Sequence, residues 1–183
     1  MVGWIVLVVI ALLAFWAIAI FNKLVKNRNL VLEGWSGIDV QLKRRYDLIP
    51  NLVETVKGYA GHEKETLEKV VELRNSAAQA QTASEKAPIE NMLTQTLRQL
   101  FALAEAYPDL KANQNFLDLQ GQLSEIEEQI QFARRYYNGT ARDMNILVQS
   151  FPSNIIANSF GFKQADYFEI ELATERTAPE VKF

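Results

Sequence analysis

The chain has 183 residues, no cysteine, a single histidine and a net charge of −3. The absence of cysteine excludes disulfide bonds, thiolate catalysis and cysteine-ligated zinc or iron–sulfur sites, and one histidine excludes every site that needs two imidazoles. The mild acidity, without a long basic stripe, argues against a nucleic-acid partner, because phosphate binding needs several clustered cations.

The N-terminal segment predicts a transmembrane helix. Residues 2–21 contain no charge and no proline, and about 20 apolar residues in a helix cross the hydrocarbon core of a bilayer. A cleaved signal peptide is the alternative, and residues 17–19 (Ala-Ile-Ala) match a cleavage site. No Lys or Arg precedes the apolar run, however, and the run is too long for a signal peptide. We therefore expect a membrane anchor over residues 1–28 and a lipid bilayer as a partner.

The basic residues beside this segment set the expected orientation. Lys23, Lys26 and Arg28 follow the apolar run and no cation precedes it. The positive-inside rule then leaves the short N-terminus outside and the larger domain in the cytoplasm. A single span can depart from this rule, so the opposite orientation stays as the alternative.

The rest of the chain predicts helices and no strands. Apolar residues recur at helical spacing from Leu30 to Ala60, although Pro50 should kink or break the helix near Leu48. Helical spacing continues over residues 62–80 and 90–107, with a loop over 79–88 and a turn at 107–109 between and after them. Residues 173–183 are charged and contain a proline, which predicts a flexible tail.

Two heptad rows give residues 109–150 the most regular pattern of the chain. One row is Phe116, Leu123, Ile130, Tyr137, Met144 and Phe151, and its companion is Leu119, Ile126, Ala133, Thr140 and Leu147. Such rows predict a long helix with coiled-coil-like packing and left-handed winding. A helix of this length can bury its two apolar rows only against other long helices, from its own chain or from neighbouring copies. The expected fold class is all-α, with an N-terminal transmembrane helix followed by a long helical bundle.

Arg45 is the first candidate interaction residue, because it falls on the heptad row of Ile38 and Leu52. A buried arginine needs a carboxylate or carbonyl partner to offset its desolvation, and the candidate partners are Asp39, Asp47 and Asp143. Such a pair would fix the helix register or form a contact between subunits. Alternatively, the aliphatic part of the Arg45 side chain packs on the surface of the bundle and its guanidinium stays in water. Both interpretations stay open.

An aromatic C-terminal segment supplies the other candidate interaction residues. Phe151, Phe160, Phe162 and Phe168 make it too apolar for a loose tail. It either packs on the end of its own bundle, which is the default expectation, or docks against a neighbour or the membrane surface.

No combination of residues predicts catalysis, a cofactor or a metal site. Glu125, Glu127 and Glu128 suggest a di-metal carboxylate site, but they lie off both heptad rows and favour a solvated face. His62 lacks any residue pattern that would bring a nucleophile and an orienting acid to it. We expect a protein that is not an enzyme.

Several stretches of the sequence resemble the LemA family. They are WSGIDVQLKRRYDLIPNLVETVKGYAGHE from Trp35 to Glu63, RQLFALAEAYPDLKANQNFLDLQ, FARRYYNGTARDMN and FPSNIIANSFGF. The residues at 138–140, Asn-Gly-Thr, depart from the helix formers that members usually carry there. The resemblance implies an antiparallel long-helix bundle, here over residues 29–172, tethered to the bacterial cytoplasmic membrane. It also implies an association with envelope stress, membrane proteases or, in one branch, magnetosome membranes, and no catalytic residues.

The predicted membrane anchor, the long heptad-patterned helix and the family resemblance lead us to expect a non-enzymatic, membrane-anchored scaffold. We expect this scaffold to self-assemble into a homo-oligomer. By the positive-inside rule its bundle lies on the cytoplasmic side, with the periplasm as the alternative. The alternative function is an adaptor or regulator of a membrane protease or sensor that binds through the aromatic C-terminal segment.

Overall fold

The computed structural model describes residues 2–169, and this part of the chain is almost entirely helical and contains no strand. The expected all-α class is confirmed. The tail expected over residues 173–183 lies outside the described residues. The elements, with one 3₁₀ turn at Ala104–Ala106, are α1 (Val2–Lys57), α2 (Lys64–Gln79), α3 (Ala83–Leu103), α4 (Pro108–Lys111), α5 (Gln114–Gln149) and α6 (Ser153–Ser159).

Packing divides the described chain into two units, to which α1 and α5 both contribute. Unit 1 contains residues 2–38 and Ala133–Tyr167, and unit 2 contains Asp39–Phe132 and residues 168–169. The division expected from the sequence, an anchor over 1–28, a bundle over 29–172 and a tail over 173–183, stays a prediction.

The N-terminal part of α1 is the one stretch among the described residues that is long and apolar enough to cross a membrane. Its best 18-residue window has a mean hydropathy of 2.9, and none of that window is buried. A core helix of a water-soluble domain would instead be covered by other elements, because proteins rarely leave large apolar surfaces exposed to water. Lipid is therefore the natural cover for this stretch.

Pro50 does not interrupt α1, which differs from the break expected near Leu48. Proline removes the N–H that would bond to the carbonyl four residues earlier, in this case that of Tyr46. In unit 2 the Arg74 side chain on α2 supplies a replacement donor, since its Nε lies 3.2 Å from the Tyr46 carbonyl oxygen. A side chain from another helix thus satisfies the acceptor that Pro50 leaves open.

The joint between α2 and α3 is shorter than expected, covering residues 80–82 rather than 79–88. A capping box starts α3 early: Thr82 Oγ1 accepts from the Glu85 N–H at 3.3 Å, and the Glu85 carboxylate accepts from the Thr82 N–H at 3.3 Å. The hydrogen bonds that the Glu85 carboxylate accepts from the Gln81 and Thr82 N–H groups lower its pKa. Because they satisfy the first free N–H groups of the helix, α3 begins at Ala83 and takes Pro88 into its second turn.

The heptad rows of α5 are buried along most of their length. In the first row every residue through Met144 is buried, and in the second Leu119, Ile126 and Thr140 are buried while Ala133 and Leu147 are half-buried. Beyond Ala133 the buried set also takes in Arg134, Ala141, Asn145 and Val148. A helix with 3.6 residues per turn drifts by about 20° per heptad, which moves the buried stripe in this way.

Unit 1 has a small core where α1, α5 and α6 meet. It consists of Leu24, Met144, Val148, Ala157 and Phe162, and the neighbours packed against it include Ile20, Phe21 and Ile156. The segment after α6 is held on α5 by Asn145, whose side chain donates to the Ala165 carbonyl at 2.9 Å and accepts from the Ala165 N–H at 2.7 Å. Tyr137 adds a bond from its hydroxyl to the Asp166 carbonyl at 2.8 Å.

Gly34 marks a close approach of α1 and α5 in unit 1. A Cβ at this position would lie 3.1 Å from Tyr137 Cα and 3.3 Å from Tyr136 Cδ1. Next to this contact the rings of Trp35 and Tyr137 pack with centroids 5.6 Å apart. A side chain at residue 34 would push the two helices apart, because the nearest atom belongs to the backbone.

Gly34→Ala and Gly37→Ala should therefore change stability in opposite directions. A Cβ at Gly37 would meet nothing within 4 Å, so Gly37→Ala should stabilise α1 by about 0.5–1 kcal/mol through helix propensity. Gly34→Ala should destabilise the protein by about 1–2 kcal/mol, since crowding exceeds the same propensity gain. Urea unfolding of the two variants measures the difference, and equal stabilisation by both would contradict the close approach.

Candidate functional site

The most concentrated polar cluster in unit 2 surrounds Arg45 of α1, whose side chain is 1% exposed. One guanidinium nitrogen, Nη2, pairs with the Glu90 carboxylate of α3. The other, Nη1, donates to Glu127 Oε2 of α5 at 2.7 Å and to Thr94 Oγ1 of α3 at 2.9 Å. A single side chain thus links three helices, and we call these four residues together with Tyr46 the Arg45 network.

Further bonds extend the Arg45 network. The Tyr46 hydroxyl donates to the second oxygen of Glu90, so both oxygens of this fully buried carboxylate are used. Gln131 Nε2 lies 3.4 Å from Glu127 Oε1. One turn before Glu90 on α3, the buried Lys86 pairs with Asp39 of α1 at 3.0 Å. Charged side chains therefore hold α1, α3 and α5 together within unit 2.

Burial governs the electrostatics of the Arg45 network. Desolvation lowers the pKa of Arg45, and the charge of Glu127 opposes this change. An arginine nevertheless stays protonated in proteins, so its charge persists. Burial raises the pKa of Tyr46 to about 12, although the positive charge of Arg45 acts against the increase. Tyr46 is therefore a neutral donor at every physiological pH.

The raised pKa of Tyr46 makes stability fall at alkaline pH. In the unfolded chain a tyrosine loses its proton near pH 10, whereas in the folded protein Tyr46 holds its proton up to about pH 12. The unfolded state thus binds fewer protons between these values, and the stabilisation present below pH 10 is lost as the pH rises towards 12. Tyr46→Phe should flatten this part of the profile, as measured by urea unfolding at pH 8 and pH 11. An identical loss in both proteins would contradict the assignment.

The structure gives Arg45 different partners from those expected from the sequence. Of the expected carboxylates, Asp39 pairs with Lys86, Asp47 is exposed, and Asp143 is exposed and bonds to the neighbouring Arg142. Glu127 does not lie on a solvated face as expected, because it reaches from the flank of the heptad seam to Arg45. Asp39 and Asp47 lie six residues before and two residues after Arg45 on α1, and neither spacing places two side chains next to each other on a helix. Glu90 and Glu127 instead approach Arg45 from α3 and α5.

The sequence also contains a signal for the burial of Glu90. Glu90 occupies the same helical stripe as Leu93, Leu97 and Leu100, all of which are buried on α3. Arg45 occupies the corresponding stripe of α1, so charges of opposite sign interrupt the two apolar rows, and Lys86 is a second buried charge on the α3 row. Opposite charges in two facing stripes are a usable indication of a buried pair.

The four candidate phenylalanines fall into two groups. Phe162 in unit 1 and Phe168 in unit 2 are buried, at 7% and 0% exposure. Phe151 and Phe160, both in unit 1, are 78% and 63% exposed. Phe151 was expected to end the buried row of α5, but the helix ends at Gln149 and the chain turns away before residue 151.

The chemistry available in the Arg45 network is limited. A groove of about 340 Å³ beside it is lined by residues that include Arg98, Gln120 and Glu128. The Glu90 and Glu127 carboxylates are both paired with Arg45, which leaves them less available to a substrate. Within residues 2–169 no group of three or more His, Cys, Asp or Glu side chains is placed to bind a metal ion.

Comparison with known proteins identifies the family of the chain. The family model described as LemA family matches residues 34–183. The chain belongs to the LemA family. The match includes all five residues of the Arg45 network, whereas the apolar stretch of α1 precedes it.

Three relatives of this LemA family member match most of its length. Protein LemA of Metamycoplasma hominis is 26% identical over 150 residues, which cover 81% of this chain and 68% of that protein. Magnetosome protein MamQ 2 of Paramagnetospirillum magneticum is 25% identical over an alignment of 195 residues, covering 90% of this chain and 71% of the relative. Magnetosome protein MamQ of Magnetospirillum gryphiswaldense is 22% identical over 162 residues, covering 73% and 58%.

LemA family membership confirms the resemblance read from the sequence. Together with the apolar, unburied start of α1, it indicates a membrane-anchored helical protein. None of the names of these relatives denotes a catalytic activity.

Proposed function

We propose that this protein is a non-enzymatic, membrane-anchored scaffold that self-assembles into a homo-oligomer at the bacterial cytoplasmic membrane. The observation that carries the proposal is α1 itself. One uninterrupted helix, Val2–Lys57, contains both the apolar stretch and Arg45. No linker in the described chain separates the membrane segment from the helices of the bundle, which suits a protein whose task is to hold a structure at a membrane.

The Arg45 network supports a structural role rather than a catalytic one. Its arginine and carboxylates are committed to one another, and they join α1, α3 and α5. A catalytic site would need an acid, a base or a nucleophile that is free to meet a substrate. A network of this kind instead makes one arrangement of the helices more stable than its alternatives.

Two features support self-assembly. Membrane tethering confines the copies to one surface and raises their effective concentration without any new contact. The long helices also carry large apolar side chains that are exposed within each unit, namely Leu32, Tyr136 and Ile146 in unit 1 and Val40 and Leu117 in unit 2. Copies that lie side by side would cover these side chains.

The size of the full-length protein in mild detergent tests this proposal. We expect a homo-oligomer whose mass is retained on dilution, and a smaller species for the double variant Val40→Ser/Leu117→Ser. The matched control is Lys43→Ser/Gln122→Ser, which removes two exposed polar side chains from the same two helices. A monodisperse monomer at all concentrations would rule out self-assembly.

The relatives and the family resemblance suggest where such a scaffold acts. Two of the relatives are named magnetosome proteins, and the LemA resemblance implies an association with envelope stress. We infer a role in membrane organisation or in the envelope stress response.

The bundle is proposed to lie in the cytoplasm, because Lys23, Lys26 and Arg28 follow the span. Protease treatment of sealed inside-out vesicles should then digest the bundle, whereas protection would place it in the periplasm.

An adaptor that recruits a membrane protease or sensor through the aromatic C-terminal segment is the alternative function. Phe162 and Phe168 are buried and unavailable for such a contact, which leaves Phe151 and Phe160. Recovery of a membrane protease with the wild-type protein, and its loss with Phe151→Ser/Phe160→Ser, would favour this function.

A further inference from the structure

Three large apolar side chains in and beside α6 of unit 1 are exposed. They are Phe151, Ile155 and Phe160, with exposed fractions of 78%, 54% and 63%. On its other side α6 is buried through Ser153 and Ala157, and Ile156 packs against the core of unit 1. Ile155 is thus exposed on the side of α6 away from the core, and Phe151 and Phe160 are exposed just before and just after the helix.

The end of α6 explains why Phe160 points outwards. The Gly161 N–H bonds to the Asn158 carbonyl at 3.3 Å, and the Phe162 N–H bonds to the Ala157 carbonyl at 2.9 Å. With Gly161 at φ +69°, these bonds form a Schellman motif, which turns the chain sharply at a left-handed glycine. Phe162 enters the core as a result, and Phe160 stays outside.

A contact with α1 places Phe160 at the end of the membrane span. The Phe160 ring lies edge-on to the Phe21 ring, with centroids 4.8 Å apart. Phe21 is the last residue of the apolar run, and a helix from residue 2 to residue 21 covers about the 30 Å of a hydrocarbon core. Phe160 thus contacts α1 at the level where the hydrocarbon meets the headgroups.

The charges around this level fit lipid headgroups. Lys23, Lys26 and Arg28 follow Phe21 on α1, and Lys163 follows Phe162. No acidic residue occurs in residues 2–32 or 151–163. The Arg28 guanidinium lies over the Phe162 ring, 5.4 Å from its centroid. Apolar side chains bordered by cations alone are the pattern of a segment that lies in the interface of an anionic membrane.

We propose that residues 151–163 form a second membrane contact, in which Phe151, Ile155 and Phe160 insert into the headgroup–acyl boundary of the bilayer that α1 spans. The contact is continuous with the span through the Phe21–Phe160 pair, and lipid covers the exposed side chains of Phe151, Ile155 and Phe160. It rests on the membrane anchor and is independent of self-assembly. Its effect is to hold unit 1 against the membrane at a point beside α1.

Single cysteines make the test direct, because the chain has none of its own. Full-length Ile155→Cys and Phe160→Cys proteins are labelled with a polarity-sensitive fluorophore and reconstituted into phosphatidylcholine–phosphatidylglycerol vesicles. The quencher is a lipid brominated on its acyl chains. Leu13→Cys in the apolar run is the positive control. Leu32→Cys is the negative control, because residue 32 is also apolar and exposed but lies about 16 Å beyond Phe21 along the helix.

We expect the probes at residues 155 and 160 to show blue-shifted emission and at least about twofold more quenching than the probe at residue 32. Quenching no greater than at residue 32 would overturn the proposal, and so would efficient disulfide formation between two copies at residue 160 without lipid quenching. An unquenched probe at residue 13 would overturn the membrane anchor itself. Quenching at residue 13 alone would overturn only the second contact.

Discussion

Arg45→Met should destabilise the protein by about 3–5 kcal/mol, the largest effect that we expect from any single substitution in unit 2. Methionine fills much of the same volume but leaves Glu90, which is fully buried, without its cation. Removing one partner of a buried ion pair leaves an uncompensated charge, which is more damaging than the loss of the pair as a whole. Urea unfolding followed by far-UV circular dichroism in mild detergent measures the change.

The neighbouring Arg44 provides the matched control. It is exposed and donates to Gln41 in the same helix, at 3.0 Å. Arg44→Met should therefore change stability by less than about 0.5 kcal/mol. In the double variant Arg45→Met/Glu90→Met both buried charges are gone, and much of the lost stability should return. Equal effects of Arg44→Met and Arg45→Met would show that Arg45 is not buried in an ionic network.

Phe162→Ala should destabilise unit 1 by about 3–5 kcal/mol. Phe162 is 7% exposed and packs with Leu24, Met144 and Val148, and its ring also meets Phe21 edge-on at 5.8 Å. Truncation of a buried phenylalanine loses its transfer free energy and leaves a cavity that its neighbours fill only in part. Thermal unfolding of the full-length protein in detergent should show a clear decrease in the transition temperature.

Phe160→Ala separates burial from aromatic character. Phe160 lies two residues away in the same Schellman turn but is mostly exposed, so its truncation should change stability in detergent by less than about 1 kcal/mol. A decrease in stability as large as that of Phe162→Ala would mean that Phe160 belongs to the core and is not available to lipid.

The sequence contains enough information for the fold class and for the membrane segment. Residues 2–21 lack charge, and the rows through Phe116 and Leu119 repeat every seven residues, so both features follow from local composition and spacing. Arg45 could also be placed on an apolar row from its spacing alone. Its burial could not, because a long side chain on such a row can either enter the core or reach water.

The remaining features depend on residues that are distant in the chain. Pro50 is accommodated because Arg74 supplies a hydrogen bond to the Tyr46 carbonyl, and no pattern near Pro50 reveals this. Whether Arg45 pairs with an aspartate or with Glu90 and Glu127 depends on how three helices align. Phe160 and Phe162 have the same side chain, and only the left-handed turn at Gly161 sends one outwards and the other into the core.

The pairing of Arg45 with Glu90 has a consequence for a bundle built from sevenfold repeats. If α3 were shifted along α1 by one seven-residue repeat, its leucines would meet nearly the same apolar neighbours as before. Hydrophobic contacts alone therefore scarcely distinguish the two positions. The shift would, however, bring Ala83 or Leu97 opposite Arg45 in place of Glu90 and leave the buried Glu90 carboxylate without its cationic partner. Ionic contacts of this kind distinguish the correct position from otherwise similar alternatives.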